Sequence, residues 1–460
     1  MRLTFHGGAG SVTGANYLLE SGGSVKSQSD HGASTKILVD CGLMQGSNYA
    51  ERQNFEPFPY DPKEISAVFI THSHLDHIGR LPKLYKDGFR GEIFSTPACK
   101  DFSELLLLDS QNILAREAER EGKPAICDVC DVNDVMKLWK KRDYHEKIEV
   151  GPFKAELFDA GHILGSAFIK IEAEGKTVVF SGDLGNSPAP IIRPTEKIDK
   201  ADYCLVESTY GDRIHENLDK RQEALEDAIE DTVKAGGTLM IPSFAMERTQ
   251  ELLYHLNNLF EEGRVPRVPV FIDSPLAIKL TVVYKKYEEY FNKETAAIAA
   301  KGEDILNFSE LRLTLSTEQS KQINGVQPPK IIVAGSGMMQ GGRILHHAMR
   351  YLPDPKSAIL FIGYQAHNSL GRLILDGAEE VKIMGEKVPV RCKKINIPGY
   401  SAHADQPLLL KWLHPMRKSL KKVFVVQGDE AASKALAGRI INDLAVMAEV
   451  PRPGETVDLL

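Results

Sequence analysis

The rhythm of strands and helices changes twice along this chain, and that pattern limits its architecture more than any other feature. Up to about residue 205 the apolar runs are short and β-rich. They are KILVDCG, AVFITHSH, GEIFSTP, FKAELFDAGH, AFIKIEAEG and KTVVFSGDLG, separated by turns and by one long helical stretch around Cys99–Glu121. Leu3–Phe5 and Tyr17–Leu19 flank a glycine-rich turn, and the polar stretch from Gly22 to Ser34, with His31 in it, reads as a long hairpin tip. Many short strands with few helices predict sheets packed face to face with helices outside. From Val206 helices and strands alternate. Leu225, Ile229 and Val233 recur at helical spacing between about Leu218 and Lys234, with Gly236–Gly237 as the stop. The strand TLMIPSF follows, then a helix with Leu252, Leu253, Leu256, Leu259 and Phe260 on one face, then VPVFID. KIIVAGSG, a helix near Arg343–Tyr351 and AILFIGYQ continue the alternation, which predicts a parallel sheet. After about Gly385 short strands return, ending in a helix over Ala431–Met447. The expected organisation is one domain (1–205) interrupted by an α/β domain (206–385) and completed by the return (386–460).

The run THSHLDHIG places His72, His74, Asp76 and His77 within six residues, directly after the strand Ala67–Ile70. In an irregular loop leaving a strand, His72 and His74 can converge on one ion while Asp76 and His77 address a second. Imidazoles and a carboxylate suit Zn²⁺, with Mn²⁺ or Fe as alternatives and Mn²⁺ in particular at the second position. The chain has only 14 histidines, so three within this loop are better read as ligands than as solvated side chains. His162 in DAGHILGS and Asp183 in FSGDLGN stand at two further strand-to-loop transitions, each next to a glycine. Asp183 can bridge two cations, one oxygen to each. Six such residues together predict a dinuclear site.

An acid after a strand (Asp40), then HxHxDH, a lone His and a lone Asp, in that order, resembles the metallo-β-lactamase superfamily. The remaining motifs resemble its β-CASP nuclease branch, which includes the messenger-RNA 3′-end processing endonuclease. VESTYGDRIHE is similar to that branch's motif A, with Glu207 as its acid, and PGYSAHAD to motif B, with His403 as its histidine. SFAMERTQELL, FIDSPLA, AGSGMMQGGRILHH and GYQAHNSLGR are similar to stretches that line the cleft between the branch's two domains. The resemblance implies an α/β fold, a metallo-β-lactamase αββα sandwich interrupted by a β-CASP α/β domain with a mainly parallel sheet. It implies two divalent ions, a bound hydroxide as nucleophile, and His403, oriented by Glu207, as the acid that protonates the leaving oxygen. Asp40 is expected to support a ligand histidine, and Ser336, Gly337, Arg248, Arg343 and Arg372 to contact substrate phosphates. His367 is a further candidate in the cleft. His255, His346, His347 and His414 are read as helix-face residues.

The chain departs from the branch at motif C. RNA-acting members have a histidine in V-H-G-E, DNA-acting relatives a valine, and this chain reads VFVVQGDE. Gln427 is expected to offer its carbonyl oxygen to the second ion, a poorer ligand for Zn²⁺ than imidazole. Single-stranded RNA is the expected substrate, and the alternatives are a DNA-acting nuclease, a small-molecule hydrolase or a degenerate scaffold subunit.

Formal charge is −7, with 56 basic against 63 acidic residues, so a polyanion must be drawn in by a local basic surface. The sequence shows no long apolar leader and no run of about 18 apolar residues, which predicts a cytoplasmic protein without a membrane span. A homodimer is left open. Cys127 and Cys130 form a lone CxxC, read as two thiols in a loop before a helix from about Asp134 to Trp139, with half a zinc site or a redox pair as the alternative.

Overall fold

The structure is a computed structural model describing residues 1–22, 34–46, 48–122, 124–215, 219–363, 365–366, 369–397 and 400–460. His31 and His367 lie outside the described residues, as do Glu216, Pro398 and Gly399 of the motif stretches. The chain divides into two compact units, residues 1–214 with 402–460, and residues 215–401.

The first unit holds two seven-stranded sheets. In one, the order is Thr456–Asp458, Arg2–Gly7, Asn16–Ser21, Thr35–Val39, Ile65–Phe69, Glu92–Ser95 and Trp139–Lys141. In the other it is Ala448–Glu449, Lys422–Val426, Tyr203–Glu207, Lys176–Phe180, Ala167–Ala173, Phe153–Asp159 and Lys147–Val150. Alternation along the strands builds the layers. Val178, Phe180, Leu205, Phe424 and Val426 of the second sheet meet Phe5, Tyr17, Ile37, Val39 and Phe69 of the first in one buried core. Their neighbours Val179, Cys204, Val206, Val423 and Val425 point the other way, onto Leu409, Trp412 and Leu413 of the helix Gln406–Leu413 and Leu436 of Glu430–Arg439. With both faces covered, the strands read as unbroken apolar runs such as KVFVV. Each fully buried large side chain contributes about 1.5–3 kcal/mol, which holds the strand ends firmly under the loops they carry.

The second unit is a six-stranded sheet in which every pairing is parallel, in the order Leu311–Leu313, Val270–Ile272, Lys330–Ala334, Thr238–Pro242, Ala358–Phe361, Lys393–Asn396. Its parallel character matches the alternation in the sequence, but its limits do not. The strands after Gly385 were expected to return to the first domain. Instead Glu386–Pro389 closes a hairpin with Glu380–Ile383, and Lys393–Asn396 pairs with Ala358–Phe361 at the sheet edge. At the other boundary, Tyr203–Glu207 pairs within the first unit and the chain leaves it only after Ile214. Short edge strands carry no period that assigns them to one sheet or another.

Two helix limits also shift. Val129–Lys137 is helical, capped by Asp128 in a reciprocal box with Asp131, so Cys130 sits exposed in a first turn while Cys127 is buried before it. The expected C-terminal helix ends as Glu430–Arg439, followed by a wider turn over Ile440–Leu444.

Inside the second unit, Asp273 at the end of Val270–Ile272 is a buried hub. It accepts from Arg343 Nη1 (2.7 Å), Thr314 Oγ1 (2.6 Å) and Ser320 Oγ (2.6 Å), and His347 Nε2 lies 2.7 Å away. Arg343→Ala is expected to lower stability by about 1–3 kcal/mol, because it leaves a buried carboxylate short of a charged donor. Arg372→Ala, which breaks an exposed pair with Asp376, should change it by less than about 1 kcal/mol. Urea denaturation compares the two, and equal stabilities would remove the hub's structural role.

Candidate metal centre

All the site loops leave the carboxyl ends of strands. Thr35–Val39 and Ile65–Phe69 run parallel in the first sheet, and Lys176–Phe180, Tyr203–Glu207 and Lys422–Val426 run parallel in the second. Phe153–Asp159, antiparallel to Ala167–Ala173, shares their direction. Asp40, the His72–His77 loop, His162, Asp183, Glu207 and Gln427 therefore emerge together. The histidine loop is laced to its neighbours by backbone bonds: Cys41 N to His77 O (2.7 Å), Leu43 N to Leu75 O (2.9 Å) and Ala15 N to Asp76 O (2.9 Å). Asp40 and Gln427 adopt left-handed φ values of 61° and 51°, which turn their side chains back into the loops at a cost of about 1–3 kcal/mol each. Gly182 is also left-handed, and a Cβ there would stand 2.6 Å from that of Thr71, so no larger residue could precede Asp183 in this way.

Four donor atoms converge. His72 Nε2 and His74 Nδ1 are 3.0 Å apart, and His74 Nδ1 and His162 Nε2 are 3.4 Å apart. Asp183 Oδ2 lies 3.4 Å from His72 Nε2 and 3.6 Å from His162 Nε2. All four fall within 4.8 Å of one another. Donors placed tetrahedrally around an ion at about 2.1 Å stand about 3.4 Å apart, so this set fits Zn²⁺. Protonation agrees. Burial, then the neighbouring imidazoles, push His74 and His162 well below the usual histidine range, leaving lone pairs bare. Burial would raise Asp183, but His77, His72 and His403 outweigh it and keep the carboxyl ionised. The four residues form a set able to hold a divalent ion.

The residues expected around a second ion are arranged differently. Asp40 accepts from Thr71 N (2.8 Å) and Thr71 Oγ1 (2.8 Å), and His77 Nδ1 lies 2.7 Å from its Oδ2, so Asp40 sets the orientation of that ring. Asp76 Oδ2 is 3.9 Å from His77 Nε2. Gln427 turns its amide nitrogen, rather than the carbonyl oxygen expected from the sequence, towards them: Nε2 donates to Asp183 Oδ1 at 2.7 Å and lies 3.1 Å from His77 Nε2. Its Oε1 accepts from the buried Tyr17 hydroxyl at 3.3 Å. Tyr17 carried no signal in the sequence beyond an apolar strand position. This second set does not fit an ion as the first does.

Next to the four donors, Glu207 Oε1 accepts from Leu184 N at 2.6 Å, and its carboxylate lies 3.2 Å from His403 Nδ1. The His403 and His162 rings lie against each other, tilted by 51° with centroids 4.6 Å apart, and His403 keeps partial exposure. Motifs A and B are thus brought together beside the metal donors.

The expected phosphate contacts lie in the second unit. Arg248 pairs with Glu247 (2.6 Å) and Glu251 (3.4 Å), Arg343 with Asp273, and Arg372 with Asp376 (2.9 Å). Arg343 also donates to the Thr314 and Leu315 carbonyls, so its guanidinium is committed to the hub. Ser336 Oγ accepts from the amides of Gln340 (3.1 Å) and Gly341 (3.3 Å), which holds it within its own turn. The Gly337 carbonyl accepts from Gln365. His347, read as a helix-face residue, is buried against Asp273.

Three domain families match the chain: the metallo-beta-lactamase superfamily over residues 31–234, the Beta-Casp domain over 249–374, and the Zn-dependent metallo-hydrolase RNA specificity domain over 387–451. Ribonuclease TTHA0252 of Thermus thermophilus is 36% identical over 458 residues, covering 99% of this chain and 100% of that protein. The chain belongs to the β-CASP nuclease branch of the metallo-β-lactamase superfamily. It is a metal-dependent hydrolase. An RNase J-like protein of Methanocaldococcus jannaschii is 31% identical, with 91% of this chain and 93% of that protein covered. Transcription termination factor FttA of Methanosarcina mazei is 32% identical over 93% of this chain and 68% of its own length. A crystal structure of an Enterococcus faecalis V583 protein of unknown function shares the fold, with a TM-score of 0.54 at 12% identity and coverage of 100% of this chain and 99% of that one. The branch's α/β sandwich with an inserted parallel sheet is the fold described above. Among the described residues no helix is long and apolar enough to cross a membrane.

Proposed function

We propose that the chain is a ribonuclease that hydrolyses phosphodiester bonds of single-stranded RNA, with zinc held by His72, His74, His162 and Asp183. The observation that carries this reading is the tetrahedral spacing of those four donors with the Glu207–His403 pair beside them. The names of the relatives, two ribonucleases and a transcription termination factor, favour RNA over DNA or a small ester. A bound zinc would supply an activated water and neutralise charge developing on the phosphoryl oxygens. Asp183 would supply the one negative charge among the donors, and the imidazoles of His72, His74 and His162 the rest. Glu207 fixes the His403 ring through Nδ1, so the proton for the leaving oxygen is carried on Nε2. Asp40 holds the ring of His77 and, through Thr71, the base of the histidine loop.

The test uses end-labelled single-stranded RNA, single-stranded DNA and a p-nitrophenyl phosphodiester with zinc-loaded protein. RNA should be cut fastest, with binding that weakens steeply as salt rises, because phosphate contacts release counterions. Turnover of the small ester alone, or binding of RNA that ignores salt, would sink the reading. The fold alone hosts several hydrolases, so this experiment is what separates them.

A further inference from the structure

We propose that this centre is mononuclear because the side-chain amide of Gln427 takes the place of the second cation. The inference rests on the metal reading of the four-donor set, but not on RNA as substrate.

An ion shared by Asp183 and His77 would draw on one oxygen lone pair and one ring lone pair. Here the Gln427 amide nitrogen stands within hydrogen-bond distance of both atoms. Asp183 is an ionised carboxylate and can only accept, so the atom 2.7 Å from its Oδ1 must carry a proton. That atom is the amide nitrogen, and the amide orientation follows from chemistry. The same amide nitrogen stands 3.1 Å from His77 Nε2, while His77 Nδ1 lies 2.7 Å from Asp40. One N–H-bearing atom thus sits against both atoms that a second ion would need.

The rest of the pocket holds the amide that way round. Tyr17 is buried and its hydroxyl donates to Oε1, the atom that would otherwise serve as a ligand. The Gln427 backbone N–H donates to Gly8 O at 2.6 Å, and its carbonyl accepts from Thr209 Oγ1 at 3.1 Å. Gly8 is itself left-handed, and a Cβ on it would stand 2.3 Å from the Tyr17 oxygen and 3.3 Å from Gln427 Cγ. Turning the amide over would set Oε1 against Asp183 Oδ1, two acceptors in a buried space, and would break the bond to His77. Gln427 is only 2% exposed, so water cannot take over those bonds. The amide supplies two N–H groups where a dication would supply charge. It preserves the positions of Asp183 and His77 without a second ion.

The experiment counts metal on the purified full chain, loaded with excess Zn²⁺ or Mn²⁺ and gel-filtered, by elemental analysis. Wild type should hold about one ion per chain with either metal, since the amide and not the hardness of the cation closes the second position. Gln427→His removes both donors and offers a ring lone pair, so its content should double to about two. Tyr17→Phe frees Oε1 to turn inward and should allow partial uptake of a second Mn²⁺. Two tightly held ions on wild type would overturn the proposal, as would one ion on a folded Gln427→His protein. No ion on wild type would overturn the metal reading as well, so the two failures are distinguishable. Loading wild type with Co²⁺ gives an independent check that needs no variant. One tetrahedral absorption signature saturating at about one equivalent supports the proposal, and a second at two equivalents overturns it.

Discussion

Asp183→Ala is expected to cost the protein its metal and its activity together. Asp183 gives Oδ2 to the four-donor set and Oδ1 to the Gln427 amide, and it is the only carboxylate among the four donors. Its loss removes a metal bond and leaves the cation with three imidazole ligands and no counter-charge in a buried space. Groups that merely orient ligands are worth 10–100-fold in metal affinity, so a ligand that also balances charge should cost on the order of 10²-fold or more. Hydrolysis should fall below detection at ordinary zinc concentrations. Asp183→Asn separates charge from shape, since it keeps the volume and loses the anion, and it should resemble the alanine variant in metal content. Elemental analysis beside an RNA cleavage assay reads both quantities. Activity that survives with metal undiminished would show that another residue completes the centre.

His403→Ala is expected to give the opposite pattern, with metal retained and rate lost. His403 touches the donor set through its tilted ring contact with His162 but supplies none of the four converging atoms. Removing a positioned general acid lowers the rate by roughly 10²–10⁴-fold. The loss should shrink with a p-nitrophenyl phosphodiester, whose leaving group departs without a proton. Glu207→Gln should follow in the same direction but less far, because the ring loses its charged partner while keeping its place. Equal losses on both substrates would assign His403 to substrate binding rather than proton transfer.

How far these features could be read from the sequence depends on how local they are. The histidine loop, His162 and Asp183 were legible because each follows a strand within a residue or two, and strand ends are where such residues meet. The inserted parallel sheet was legible from apolar runs alternating with helical spacing. Its boundaries were not, since Glu386–Pro389 and Lys393–Asn396 are edge strands whose partner is chosen by packing. Arg343 looked like a phosphate ligand because it opens a helix after a glycine-rich turn. Only in three dimensions does it meet Asp273, 70 residues earlier in the chain. Gln427 could be flagged as a departure, but which end of its amide faces inward is set by Tyr17, 410 residues away in sequence, and by the carboxylate opposite.

The strand Lys422–Val426 pairs with Tyr203–Glu207, yet all of residues 215–401 lie between them in the chain. During synthesis at about 5–20 residues per second, the ribosome needs on the order of ten seconds or more to make that intervening stretch. Throughout that interval Tyr203–Glu207 is a bare edge of apolar backbone, the kind of surface that recruits foreign strands. His403 and Gln427 have yet to be made, so Glu207 has no ring to hold and Asp183 has no amide to meet. The four metal donors are thus made long before the strand that covers this edge and the two side chains, His403 and Gln427, that complete their surroundings.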